Sequence, residues 1–177
     1  MALPVQKYAL DIEGLHYYRK AIPSKLYGEL LDFIEKRNKM GPEILGIDYN
    51  YKKLNIHEKI ADMPSVIVKL RNLISLHGID DKQFNHCAIE DFNQGLSFEQ
   101  KIEDYKYGST ICIFNIDSPL TIKFTLDETK ELLTKPRSLC VLSGDSRYKY
   151  KYGVDVHNEC GEDDHRFLIT FKTVSYK

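Results

Sequence analysis

The segment Glu90-Asp91-Phe92-Asn93-Gln94-Gly95-Leu96-Ser97-Phe98-Glu99-Gln100-Lys101 follows an apolar run, Cys87, Ala88 and Ile89, and precedes a strand-like run over residues 109–115. On a strand, residues two apart point the same way, so Glu99 and Lys101 set a carboxylate and an ammonium side by side on one face. From residue 85 onward the pattern is one of strands: 85–92, 109–116, 120–125, 138–143, 147–154 and 166–174. Turn residues separate them at Asp117-Ser118-Pro119, at Ser143-Gly144-Asp145 and over residues 161–164. Residues 126–133 read either as a short helix or as a connecting loop.

Upstream the periodicity differs. Residues 8–12 and 15–18 are short apolar stretches broken by Gly14, which predict one or two edge strands. Ser24 is a candidate N-cap, and Leu26, Leu30, Phe33 and Ile34 then recur at helical spacing through Lys39, until Gly41-Pro42 ends the helix. Residues 43–51 alternate as a strand. Residues 52–62 are polar and without period, and predict a loop or lid. Pro64 opens a second helix whose apolar face is Val66, Ile67, Leu70, Leu73 and Ile74, with Gly78 as its stop. Helices first and strands after indicate an α+β chain, with helices packed on one side of a largely antiparallel sheet structure.

Composition bounds the rest. The 177 residues suit one domain, 1–177, with one substantial core, and 42% hydrophobic with 29% charged content is ordinary for a globular protein. A formal net charge of −1 argues against a bulk electrostatic grip on nucleic acid, while leaving room for a local basic patch. No apolar run approaches the roughly 20 residues of a membrane span, and the N-terminus lacks the basic-then-apolar order of a signal peptide. The four cysteines, Cys87, Cys112, Cys140 and Cys160, are scattered without a Cys-x-x-Cys pair, so an intracellular, reducing compartment, cytoplasm or nucleus, is expected. Zero Trp beside 12 Tyr, with many Lys, Ile and Asn, hints at an AT-rich genome, viral or parasitic.

Four places carry a resemblance. They are Ile44-Leu45-Gly46-Ile47-Asp48-Tyr49-Asn50-Tyr51, then residues 84–101, then Arg137-Ser138-Leu139 with Gly144 and Arg147-Tyr148, and last Arg166-Phe167-Leu168-Ile169-Thr170-Phe171-Lys172. In this order and spacing they resemble the AlkB family of iron(II)/2-oxoglutarate dioxygenases. The resemblance implies a double-stranded β-helix, or jelly-roll, over residues 84–174, flanked by N-terminal helices. It also maps the family's iron ligands, two His and one Asp, onto Glu99, Lys101 and Tyr152. The groups that hold 2-oxoglutarate map onto Glu90, Phe92, Arg166 and Lys172.

Those substitutions do not suit that chemistry. An ammonium at position 101 has no lone pair to give and repels a cation, and a tyrosine of pKa about 10 is a poor iron(II) ligand near neutrality. Glu90 repels a diacid, Phe92 lacks a hydroxyl, and Lys172 cannot form a bidentate fork. The resemblance therefore implies a catalytically inactive member without cofactor or metal, a scaffold or adaptor whose partner is a protein or a second copy of itself. Strand parity predicts that Glu90, Glu99, Lys101, Arg166, Lys172 and Tyr152 point into the former pocket, where Lys101 pairs with Glu90 or Glu99.

Two further functions stay open. The family's lid over residues 49–59 and the stripe from Arg147 to Tyr152 would supply nucleic-acid contacts, namely Tyr49, Tyr51, Lys52, Lys53, Arg147, Lys149 and Lys151. Against this, parity puts Arg147, Lys149 and Lys151 on one face and Tyr148, Tyr150 and Tyr152 on the other, a solvated basic face behind a packed one. The other is a living nucleic-acid demethylase with atypical ligands. His157, Cys160, Glu162, Asp163, Asp164 and His165 read as an acidic turn, since their spacing fits no zinc pattern. His86 reads as a hydrogen-bonded core or edge residue.

Overall fold

A computed structural model describes residues 8–37, 42–50, 56–92, 98–155 and 166–175. Within them lie eleven strands and three helices. The first strand, β1 (Leu15–Tyr18), precedes helix α1 (Ser24–Lys36). Next come β2 (Glu43–Asn50), β3 (Ile56–Ala61), α2 (Ser65–Asn72), β4 (His86–Asp91) and β5 (Phe98–Lys101). The chain continues through β6 (Ile111–Asn115), β7 (Leu120–Thr125), β8 (Thr129–Thr134), β9 (Ser138–Leu142), α3 (Gly144–Tyr148), β10 (Lys151–Asp155) and β11 (Phe167–Lys172). No helix among the described residues is long and apolar enough to cross a membrane.

The strands form two sheets. The larger runs β1-β9-β6-β11-β4-β2-β3 and the smaller runs β5-β10-β7-β8. Pairing within both is antiparallel, as for β11 against β4 and β6, and for β10 against β5 and β7. This is the α+β jelly-roll, a double-stranded β-helix with helices on one flank, that the resemblance implies.

Period-two parity on the larger sheet makes two cores. On β11, Phe167, Ile169 and Phe171 face α1 and α2, where they pack with Leu26, Leu30, Ile67, Leu70 and Ile74. The alternate residue Leu168 faces the smaller sheet and packs with Ile113, Leu142, Ile122, Phe124, Tyr152 and Val154. A strand buried on both faces reads as a continuous apolar run, and all of β11 is buried. Thr170 and Lys172 share the parity of Leu168, so β11 carries one ammonium into the space between the sheets.

Several elements differ from the sequence expectations. Residues 8–12 are not a strand, because Ala9–Asp11 turn as a 3₁₀ helix with Leu10 and Asp11 at positive φ. Helix α1 stops at Lys36, and Pro23 rather than Ser24 is its N-cap. The expected loop at 52–62 contains β3, which pairs with β2 as a hairpin, and residues 126–133 contain β8, which pairs with β7. Both are edge strands. An edge strand takes charged residues such as Glu58, Lys59, Lys130 and Glu131, which hide its period. The stretch 147–154 is not one strand either. Ser143 donates its N–H to Ser146 Oγ at 3.1 Å, and α3 follows through Tyr148 before β10 begins.

Gly46 sits at φ +80 where β2 bulges between its two partners, and the next residue, Ile47, donates its N–H to Asn85 O at 2.8 Å. A Cβ at position 46 would lie 2.1 Å from Asn85 O and 2.8 Å from Met63 Cε. By contrast a Cβ on Gly28, inside α1, meets nothing within 4 Å. Gly46→Ala should therefore destabilise the chain by about 2 kcal/mol or more, and Gly28→Ala should stabilise it by about 0.5–1 kcal/mol. Urea unfolding of both variants checks the opposite signs.

Candidate functional site

Between the sheets lies a cavity of about 10 Å³, lined by Glu90, Glu103, Tyr152 and Lys172 together with Thr170, Ile113, Val154 and Leu168. That is room for about one water. Strand register assembles the set. Lys172 on β11 lies opposite His86 on β4, and Glu90 lies opposite Leu168, so Glu90, His86 and Lys172 share the inner face. Tyr152 comes from β10 of the other sheet.

Glu103 joins these elements. It is 6% exposed and follows β5 in a connecting segment. Its Oε1 accepts from Lys172 Nζ at 2.7 Å and from the Tyr152 hydroxyl at 2.8 Å, with Lys101 Nζ at 3.4 Å. Burial alone would push the Glu103 carboxyl up, but the Lys172 charge and hydrogen bond, then Lys101 and the Tyr152 hydroxyl, outweigh it and hold the carboxyl below its ordinary value. The Tyr152 hydroxyl shifts far upward, through burial and through the charge and hydrogen bond of Glu103. Across the cavity Glu90 goes the other way. There burial outweighs Lys172 and Lys101 and raises the carboxyl.

Arg147 fixes the segment that carries Glu103. Only 2% exposed, its guanidinium donates to four backbone carbonyls: Glu103 O at 2.8 Å, Asp104 O at 2.8 Å, Tyr107 O at 2.9 Å and Gly108 O at 3.2 Å. Five N–H donors in a rigid fork suit this arrangement, and an ammonium could not reproduce it. Asp104 Oδ1 accepts the Lys106 N–H at 2.9 Å and tightens the same turn. Tyr107, held by this turn, lays its ring 4.6 Å from Lys172 Nζ and donates its hydroxyl to Asp48 Oδ1 at 3.0 Å. His86 packs against the Tyr107 ring at 5.2 Å between centroids, with Nδ1 2.9 Å from Ile47 O and 3.5 Å from Asp48 Oδ1, and burial lowers its pKa.

The sequence-derived residues divide accordingly. Glu90, Tyr152 and Lys172 meet at the cavity, and Lys101 reaches its rim with 47% of its side chain exposed. Lys101 makes an ion pair with Glu103, and its charge also acts on Glu90 across the cavity. Glu99 is exposed, which corrects its expected inward place. The cause is a register shift: Tyr152 lies opposite Lys101 and Val154 opposite Phe98, so two steps along β10 match three along β5. The extra residue breaks the i, i+2 rule that would have kept Glu99 and Lys101 together.

Other residues fall away from the cavity. Phe92 is buried between the sheets and donates its N–H to Arg166 O at 2.8 Å. Arg166 is buried six residues from Lys172, about 20 Å along the chain. The expected division of residues 147–152 fails, because Arg147 is buried as part of α3, Tyr148 is half exposed and Lys149 pairs with Asp145 at 2.9 Å. Lys151 is exposed, and the Tyr49 hydroxyl donates to Lys106 O at 3.2 Å. Tyr51, Lys52, Lys53 and the group at 157–165 lie outside the described residues. Sequence reasoning missed Glu103, Tyr107 and Asp48. The one signal for Glu103 was a demand: an inward lysine on a buried strand needs a carboxylate.

The two cavity glutamates predict opposite pH behaviour. Glu103 has a lowered carboxyl pKa in the fold, so the stability it contributes is present above its ordinary value of 4.5 and is lost as pH falls through the folded value. Glu90 has a raised one, so its ionisation costs stability as pH rises from 4.5 through its folded value. Melting temperatures between pH 4 and 8 should show Glu90→Gln gaining on the wild type as pH rises. Glu103→Gln should lose most at neutral pH and least in acid.

No protein-family model matches the chain, and no curated protein sequence does. Among solved structures, that of OsALKBH1 superposes with a TM-score of 0.65 at 12% sequence identity, over 90% of this chain and 96% of that one. At that identity the likeness speaks for architecture alone. The chain has an AlkB-like jelly-roll fold.

Proposed function

We propose that this chain is a binding protein on an AlkB-like fold that does not run the iron(II)/2-oxoglutarate reaction, and that it serves as a scaffold or adaptor for a protein partner or a second copy. One observation carries this reading. At the positions where that reaction needs a metal and a diacid, Tyr152 and Lys172 both bond to Glu103 of the same chain. Iron(II) does not fit a donor set of an exposed Glu99, a cationic Lys101 and a tyrosine whose pKa lies far above neutrality. Nor does 2-oxoglutarate fit a cavity with room for about one water, lined by two carboxylates that would repel a diacid.

A protein partner is favoured by what the pinned segment displays. Tyr105 is 83% exposed, and Ile102 and Tyr148 are about half exposed. Tyr148 stacks on the Arg147 guanidinium, 4.9 Å from its Cζ. Aromatic anchors on a rigid base suit protein interfaces, because little freedom is lost on binding. The nucleic-acid reading keeps fewer contacts, since Arg147 is committed to four carbonyls and Lys149 to Asp145.

Titration with iron(II) and 2-oxoglutarate should leave the melting temperature unchanged, because a ligand that binds the native state must raise it. A concentration-dependent rise would overturn the reading. Binding to single-stranded RNA that weakens with salt, and with Lys149→Glu and Lys151→Glu, would favour the nucleic-acid function instead.

A further inference from the structure

We infer that Glu103 is an internal carboxylate ligand: Lys172, Tyr152 and Lys101 form a cradle for a small carboxylate, and the chain fills it permanently with its own side chain. The inference rests on the reading that the site takes no metal and no diacid, and it adds what the site does hold. Three donors from two different sheets converge on one oxygen, Oε1 of Glu103, at 2.7, 2.8 and 3.4 Å. Lys101 is a near neighbour in the chain, two residues before Glu103, but Lys172 and Tyr152 come from β11 and β10 of opposite sheets, so those two hold the carboxylate as a receptor holds a ligand. The Tyr107 ring closes over Lys172 from one side. Charge-assisted bonds to Lys172 and Tyr152, made away from water, with the more exposed Lys101 charge at the edge, are the chemistry that recognises a carboxylate.

Permanence follows from Arg147. A movable plug would leave its segment weakly held, yet four carbonyls at residues 103, 104, 107 and 108 accept from that one buried guanidinium. Moving that segment would break those bonds and leave the Arg147 guanidinium unsatisfied in the interior, and turning the Glu103 side chain away would take from Lys172 its hydrogen-bonded carboxylate. The cradle is therefore occupied structure, closed to outside ligands in the wild-type chain.

Glu103→Ala tests this by emptying the cradle while keeping its donors. The full-length variant should melt roughly 5–15 °C below the wild type. Sodium acetate should restore part of the loss in proportion to its concentration, and sodium chloride at equal ionic strength should not. Wild-type protein and Glu103→Ala/Lys172→Met should not respond to acetate. Should Glu103→Ala fold poorly, the same comparison is read as the yield of folded protein on refolding in acetate against chloride. A folded variant blind to acetate overturns the inference, as does an equal acetate response in the wild type. The two proposals fail separately, because iron(II) and 2-oxoglutarate are tested on the wild-type chain and acetate on the variant.

Discussion

A lysine carried inward on a strand that is buried on both faces must find an anion or fail to fold. Lys172 is that lysine, 7% exposed, on the strand that packs against helices with one face and against the smaller sheet with the other. Leaving an ammonium unpaired in such a place costs several kcal/mol, about as much as a domain's whole stability. Much of the site follows from that need. A carboxylate has to arrive from outside the sheet, its segment has to be held in place, and its second donor, Tyr152, has to come from across the sandwich.

The holding device is as costly as what it holds. Arg147 is almost completely buried, and it is tolerated because four carbonyls neutralise its donors. Those carbonyls belong to a turn with no ladder of its own beyond a single bridge from Tyr107 to Val174. Without the guanidinium the buried carbonyls of Glu103 and Tyr107 would each lose a donor, at a cost of about 1–3 kcal/mol apiece. The short helix α3 exists to deliver it: Gly144 at φ +49 and the Ser143–Ser146 bond start the helix, and Arg147 reaches the turn one residue later. Fold and site thus depend on each other through two buried cations, each paired by the same six-residue segment.

Much of the architecture was legible. Two amphipathic helices followed by strands, the stop at Gly78, and the inward parity of Glu90, Tyr152 and Lys172 all follow from period and punctuation, and the structure has them so. The failures have two causes, backbone that leaves its regular period and charge that masks a period still present. The register shift in β5 turned Glu99 outward, a serine pair made a helix of what looked like a continuous strand, and edge strands β3 and β8 hid their alternation under charge. Glu103 was invisible for a different reason. It sits in irregular chain, where no period says which way a side chain points, and only the geometry of the folded state brings it to Lys172.

Glu103 and Lys172 stabilise the fold as a pair, each needing the other. A double-mutant cycle with Glu103→Gln and Lys172→Met, read by urea unfolding at neutral pH, measures that dependence directly. The expected coupling is about 2–3 kcal/mol, with the double variant more stable than the sum of the single losses implies. Single losses that add to within about 0.5 kcal/mol would contradict it.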